Sequence, residues 1–550
     1  MTVADEAFDA VVVGSGFGGS VMAYRLAEAG VNVCLLERGK PWPPGSFPRT
    51  PLEFSRATWD PSEGEHGLYD FWSFRGLNAL ISSGLGGGSL IYANVLLRRD
   101  ERWFADGPLR QRWPIDYADL DVHYDRVEAM LTPTVYPPHL AAITPKTRAF
   151  AAAAQREGLQ LVDAPLAITF SREGEELGAP FGDPQENVHG AQRYRCRLVG
   201  ECDLGGCNFG SKNSLDFTYL SAAGRHGAVI RCRHEVKTLT PVPDGYLVDI
   251  VDHTDAEEGV QRHVAPPRRT ILARRVILSA GALGTPYLLH KNRGAFPRLS
   301  PRLGTRFCGN GDFIMFAARS ARELEPARGP VITSAVRVYD ADGADPRDDS
   351  PGHYVEDGGY SAAFAWIAEI LAAPRIALSE KRLLLKLAWG SLTGNRGRQL
   401  GGELAQVFGG ARLSAGTLPL LGMGREPPQG RMRIVDGKLD LRWSFQLARP
   451  YFDQVRRTMA RLAEGMDATI EDNMLWRLSQ VITVHPLGGC PLGATPAEGV
   501  VDPRNGEVHN YPRLHVADGS VMPGPVGPNP SLTIAALADR FADAIVESGG

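Results

Sequence analysis

The sequence predicts an α/β protein: a Rossmann-like dinucleotide-binding domain, discontinuous in sequence, with a second domain of α+β type set between its pieces. Three observations carry this. Residues 8–13 (FDAVVV) form a strand-like apolar run that meets Gly14-Ser15-Gly16-Phe17-Gly18-Gly19, the fingerprint of a diphosphate-binding turn. Apolar strands ending in glycine return far downstream, at 276–281 and at 514–519. Between these blocks lie proline-rich loops and alternating strand patterns such as residues 432–443, with a turn at Asp436-Gly437. The expected division assigns 1–105, 211–310 and 476–550 to the cofactor domain and 106–210 and 311–475 to the substrate domain.

In the fingerprint, Gly14 permits the tight strand-to-helix turn, Gly16 lets a diphosphate approach the backbone, and Gly19 allows close helix–sheet packing. The positive N-terminus of the following helix then holds the diphosphate. Glu37 closes the next apolar run (VNVCLLE), where a carboxylate accepts hydrogen bonds from a ribose diol and disfavours a 2′-phosphate. A glycine triplet, Gly86 to Gly88, sits between apolar stretches and suggests close backbone approach to a planar ligand. A further nucleotide-domain block runs from Ala228 through a short strand at 236–239 to 275–281, and there Ala280 marks a strand end. Asp518-Gly519 marks another: Asp518 can bond a ribityl chain, be held near the diphosphate by backbone donors, or merely cap a turn. A nicotinamide enzyme usually needs one contiguous unit, so the repeated strand ends indicate a more elaborate cofactor, a flavin.

Composition narrows the partners. With 22% charged residues and a net charge of −4, nothing favours nucleic acid. Seven cysteines, an odd number in 550 residues, fit free thiols better than a disulfide framework. Cys196, Cys202 and Cys207 match no common metal spacing, so structural thiols and no metal are expected. The first strand begins close to Met1, leaving no room for a secretory signal, which predicts a cytoplasmic protein. Residues 362–387 come nearest to a membrane span but are interrupted by Glu369, Arg375, Glu380, Lys381, Arg382 and Lys386.

Six ordered blocks complete the picture: Gly14 to Gly19, GLGGGSLIYAN at 84–94, SKNSLDFTYL at 211–220, SAGALGTPYLL at 279–289, VHPLGGC at 484–490, and residues 514–539 containing PNPSLT. In this order they resemble the glucose–methanol–choline (GMC) oxidoreductases, most closely the flavin-dependent cholesterol oxidases among them, over nearly the whole chain. The resemblance implies an FAD domain and a substrate domain built on an antiparallel sheet, with the flavin ring at their junction. It implies that Phe17, Gly18 and Glu37 contact the adenosine diphosphate half and that Gly88, Tyr92, Ala93 and Asn94 line the flavin. Val236 would meet adenine through its backbone, and Gly519 would lie under the ribityl chain or ring. Gly87, in the triplet, and Ser531, at the head of the last helix, complete the expected cofactor contacts. Members with covalent flavin carry a histidine shortly after the glycine-rich block. Residues 89–97 contain none, so the FAD is expected to be noncovalent.

Alcohol oxidation by hydride transfer needs a proton acceptor beside the hydroxyl, and histidine suits this near neutral pH. His485, at a strand end turning into a loop, and Asn529 match the family's histidine–asparagine pair facing the substrate hydroxyl. Asn529 also precedes Pro530 and a helix-like run, so it can cap that helix as well as orient oxygen. Glu356, before Asp357-Gly358-Gly359, resembles by rough position the carboxylate with which cholesterol oxidases shift a double bond, although Asp357 or Glu369 could be the counterpart, and a turn residue is the simpler reading. Residues 362–389 read either as buried helices or as a lid over a greasy substrate that can touch a lipid surface. The expected function is therefore oxidation of a secondary, bulky hydrophobic alcohol, sterol- or terpenoid-like, with oxygen or another acceptor receiving the electrons. Net non-redox isomerisation or elimination on a terpenoid or polyketide, or a flavoprotein without catalysis, remains open.

Overall fold

The computed structural model describes residues 4–104, 113–339, 352–361 and 416–549. The lid segment 362–389, with Glu369, lies outside the described residues.

The cofactor sheet has seven strands. Their order is Val229–Arg231, Val33–Leu36, Glu6–Val13, Arg268–Leu278, Gly245–Asp252 and His234–Val242, and Leu514–Val516 also pairs with Arg268–Leu278. Ala10 to Val13 and the whole of Val33–Leu36 are buried, the continuous apolar pattern of parallel strands covered on both faces. Helices Phe17–Glu28 and Ser531–Glu547 pack against each other within this core.

Register explains why distant motifs meet. Val13 aligns with Leu36 and Leu278, Leu36 with Arg231, and Leu278 with Val516. All these pairings are parallel, so Gly14, Glu37, Ser279 and Ala517 leave the sheet along one edge, the carboxyl edge where open α/β sheets bind ligands. The sheet is mixed. Arg268–Leu278 runs antiparallel to Gly245–Asp252 in its first half and parallel to Leu514–Val516 in its second.

The second sheet has six strands, Thr469–Glu471, Phe313–Ala318, Leu418–Gly424, His353–Asp357, Ser334–Val338 and Gln160–Asp163, with every neighbouring pair antiparallel. The long helix Phe445–Gly465 packs on it, started by Ser444, whose hydroxyl accepts the Leu447 N–H at 3.4 Å. The expected turn is present: Asp436 (φ 48°) and Gly437 (φ 75°) close the hairpin Arg431–Val435/Lys438–Arg442. Between the sheets, Val481–Thr483 runs parallel to Leu77–Ser82 and delivers His485 to the site. No helix among the described residues is long and apolar enough to cross a membrane.

Candidate active site and cofactor cradle

One cavity of about 1190 Å³ runs from the carboxyl edge of the first sheet to the face of the second. Ordinary single-ligand pockets occupy ~300–1,000 Å³, so this volume accommodates a dinucleotide with room for a second molecule. From the nucleotide fingerprint, Gly14, Gly16, Phe17, Gly18 and Glu37 line it. Gly87, Gly88, Tyr92 and Ala93 line it from the glycine triplet, and Val236, Ala280, Asp518, Gly519 and Ser531 from the other strand ends. His485 and Asn529 line its far end. Gly19, Asn94 and Glu356 stand behind the wall.

The glycines divide their work by what surrounds them. A side chain on Gly18 would collide with the Ala517 carbonyl, and one on Gly19 with the Gly14 carbonyl, so both serve packing. Gly16 and Gly88 instead face open space, with nothing within 4 Å of an added Cβ. Gly16 also caps the Phe17–Glu28 helix, which leaves its backbone beside a helix N-terminus open to an anion. Gly87, at φ 51°, lies where a Cβ would come 2.7 Å from the Gly16 Cα. The triplet is thus packed onto the fingerprint turn. Gly87→Ala forces the two loops apart, and with ~1–3 kcal/mol of strain FAD affinity should fall about tenfold to a hundredfold. Titration of the apoprotein with FAD by flavin fluorescence measures this; unchanged affinity would contradict the packing argument.

Glu37 is held in place. Its carboxylate accepts from the Ser15 N–H (3.1 Å), the Ser15 hydroxyl (2.6 Å) and the Gly39 N–H (2.8 Å), and it still borders the cavity. Of the roles open to Asp518, the structure contains the cap: Oδ1 accepts from the Ser520 N–H (2.8 Å), and Oδ2 accepts from the Gly281 N–H (2.9 Å) and Thr285 hydroxyl (2.5 Å). Burial pushes the Asp518 carboxyl up, opposed by these hydrogen bonds. Val236 borders a β-bulge in which Lys237 has no cross-strand partner, breaking the regular ladder where adenine was expected.

Tyr92 packs edge-on to Phe17 with ring centroids 5.4 Å apart, and its buried hydroxyl has no partner among the described residues. Asn94, at φ 70°, donates to the Cys202 carbonyl at 3.0 Å while its Oδ1 is unpaired. Sequence reasoning gave Lys212 no role of its own. It is buried and donates to the Leu90 and Tyr92 carbonyls at 3.1 and 2.8 Å, fixing the strip expected to face the flavin, and burial lowers its ammonium to about 8. The three neighbouring cysteines, Cys196, Cys202 and Cys207, are buried and accept backbone N–H bonds from Leu198, Val331 and Ser211.

At the far end, His485 Nδ1 lies 2.7 Å from Asp312 Oδ1. Asp312 Oδ2 accepts from the Val484 N–H (2.8 Å), the His485 N–H (3.1 Å) and the Thr483 hydroxyl (2.9 Å). A carboxylate so placed holds the ring proton on Nδ1, leaving Nε2 as the acceptor. The contact of Asp312 with His485 is one that the sequence did not reveal, since the two lie 173 positions apart and CGNGD matches no motif.

The expectation that Asn529 caps the last helix is corrected. Pro530 occupies the cap position, no side chain caps the helix, and the buried Asn529 Oδ1 has no partner among the described residues. Its amide belongs to the cavity wall.

Glu356 is fully buried in the His353–Asp357 strand, not in a turn. It pairs in register with Leu421, and directly opposed residues share a sheet face, so it sits on the face where Leu421 meets the cavity. Among the described residues neither carboxyl oxygen has a hydrogen bond of good geometry. Burial pushes this carboxyl well above the usual range, opposed by the neighbouring Asn529 amide. Asp357 is excluded as its substitute: it is tied to the Lys146 ammonium (2.7 Å) and to the Thr333 and Ser334 N–H groups (2.8 Å each).

The cradle fits FAD: an open glycine turn at a helix N-terminus, buried oxygens on Tyr92 and Asn529 that have no partner among the described residues, and sufficient volume. Comparison with known proteins agrees. GMC oxidoreductase family models match residues 8–308 and 439–538. The chain is 29% identical to the cholesterol oxidase of Acinetobacter baumannii, over 98% of this chain and 94% of that one. It is 30% identical to the cholesterol oxidase of Mycobacterium tuberculosis, over 97% of this chain and 90% of that one. Pyridoxine 4-oxidase from Mesorbium loti shares the fold at 16% identity, with a TM-score of 0.59 over 98% of this chain and 99% of that chain. Both family models, together with relatives aligned almost end to end, place this chain in the GMC oxidoreductases as an FAD-dependent oxidoreductase.

Proposed function

We propose that this enzyme oxidises a bulky, hydrophobic secondary alcohol of sterol or terpenoid type to the ketone. The observation that carries the reading is the pairing of His485, fixed through Nδ1 by Asp312, with Asn529, whose Oδ1 has no partner among the described residues, at the end of one cavity. His485 accepts the hydroxyl proton at Nε2, and Asn529 orients the alcohol oxygen. FAD, held noncovalently along the glycine cradle, would supply the hydride acceptor, with oxygen or another acceptor taking the electrons. Ile314, Val331, Ile332, Leu421 and Val484 line this end, which favours an apolar substrate body. The cofactor domain of this reading comprises 1–105, 211–310 and 476–550, and the substrate domain 106–210 and 311–475.

A second activity is favoured by Glu356. Once the ketone exists, this carboxyl, behind the wall on the sheet face that Leu421 shares with the cavity, could when ionised take the acidified proton beside the carbonyl and return it further along an unsaturated chain, shifting the double bond. The test is anaerobic titration with sterols, terpenols, sugars and choline while the flavin band is recorded. Persistent bleaching by sterols or terpenols is expected. Bleaching by small polar alcohols alone overturns the hydrophobic substrate, and product formed under an unchanged spectrum overturns oxidation.

A further inference from the structure

The residues leading into Asn529 read Pro523-Gly524-Pro525-Val526-Gly527-Pro528, a buried segment whose prolines have no N–H to give a sheet. Buried carbonyls there still need donors. Side chains supply them: Arg306 bonds the Pro523 carbonyl at 3.1 Å, and Arg99 bonds those of Pro525 and Val526 at 2.6 and 2.8 Å. Closest to the site, one residue does most of the holding. Asn310, with no exposed surface, accepts the Val526 and Gly527 N–H groups on Oδ1 at 2.9 and 3.1 Å, while Nδ2 donates to the Pro528 carbonyl at 2.9 Å.

Asn310 stands two residues before Asp312, the carboxylate that holds His485. The loop between them is itself pinned, because Glu426 accepts the Gly309 N–H at 2.9 Å and the Gly311 N–H at 3.1 Å. One rigid loop therefore grips the chain before Asn529 with one side chain and the ring of His485 with another. We propose that Asn310 is a positioning residue that sets where the Asn529 amide stands relative to the His485 ring, so that loop 308–312 keeps proton acceptor and oxygen-orienting amide in one register. The proposal rests on the reading of His485 and Asn529 given above. Asn310 touches neither substrate nor cofactor; it acts through Asn529. A displacement of about 1 Å at a positioned group can cost a factor of ~10² in rate, so the effect falls on kcat.

The test is a double-mutant cycle on the FAD-loaded enzyme with Asn310→Ser, Asn529→Ala and both together. Asn310→Ser should lower kcat roughly tenfold to a hundredfold with KM within about threefold, and the double variant should match Asn529→Ala within about twofold. Losses that multiply would overturn the clamp and leave the reading of the site intact. An Asn529→Ala enzyme of undiminished kcat would overturn that reading, and the clamp with it. Amide exchange on the apoprotein gives a readout independent of turnover: Asn310→Ser should speed exchange at Val526 and Gly527 and leave residues 481–485 unchanged, and unaltered exchange at Val526 and Gly527 counts against the clamp. Asn310→Asp, which keeps the two accepted bonds and tolerates the left-handed backbone at φ 54°, covers the case in which the serine variant does not fold. It should restore protection at Val526 and Gly527 while kcat stays depressed, because Pro528 has lost its donor; full kcat in this variant overturns the role assigned to that bond.

Discussion

Asp312→Asn should lower kcat by about 10²–10⁴-fold while the protein still binds FAD, the range contributed by a positioned acid–base group. The direction of the effect follows from the hydrogen bonds around the carboxylate. Oδ2 accepts from two backbone N–H groups and the Thr483 hydroxyl, so an amide in that place keeps its oxygen there and turns its NH₂ towards His485 Nδ1. A donor facing Nδ1 moves the ring proton to Nε2, the atom needed to accept the substrate proton. The ring stays where it was in the wrong tautomer, a change known to cost a Ser-His-Asp triad ~10⁴ in kcat. His485→Gln should fall in the same range, and the double variant should be little worse than either, since the pair acts as a unit. Anaerobic stopped-flow measurement of flavin bleaching is the check; an Asp312→Asn rate within about threefold of the parent would sink the assignment.

What the sequence made legible were features with local physical signatures. Gly14 to Gly19 and the strand end at Gly281 announce themselves because a tight turn at the end of a buried strand demands glycine, and Asp436-Gly437 because a two-residue hairpin demands positive φ twice. The antiparallel sheet of the substrate side came from the resemblance, since alternation marks a strand without naming its partner. For the same reason the sequence did not reveal that Arg268–Leu278 changes partners halfway. Along the cavity, His485 and Asn529 could be singled out as candidates because each stands in a dense local motif. Asp312, Asn310 and Lys212 could not, because their roles exist only through contacts with residues 173, 216 and 120 positions away. Asn529 has the signature of a cap because its neighbours Pro530 and Ser531 open a helix, and only the fold moves the start of that helix one residue along.

Glu356→Gln should abolish double-bond isomerisation while oxidation survives, so that the unsaturated ketone accumulates with its double bond unmoved. The argument begins with burial. A carboxyl with no exposure and no well-formed hydrogen bond among the described residues is neutral far above the usual pH, and desolvation is the first cause of that rise. Once ionised, the same desolvation makes it a stronger base than an exposed glutamate, suited to a carbon acid flanking a carbonyl. Isomerisation should therefore increase as pH rises through the elevated value. Stability runs the other way. A raised native value means that the stabilisation by the bound proton is complete below the ordinary unfolded value of about 4.3 and is lost as pH climbs through the native one. Glutamine carries no such proton, so the variant should lose less melting temperature than the parent as pH rises above the ordinary carboxylate range. Product analysis by ultraviolet absorbance of the conjugated ketone separates the two steps: conjugated product formed by Glu356→Gln at the parental rate would remove Glu356 from the chemistry. Oxidation falling in parallel with isomerisation would instead make Glu356 a support for Asn529, whose amide lies beside it.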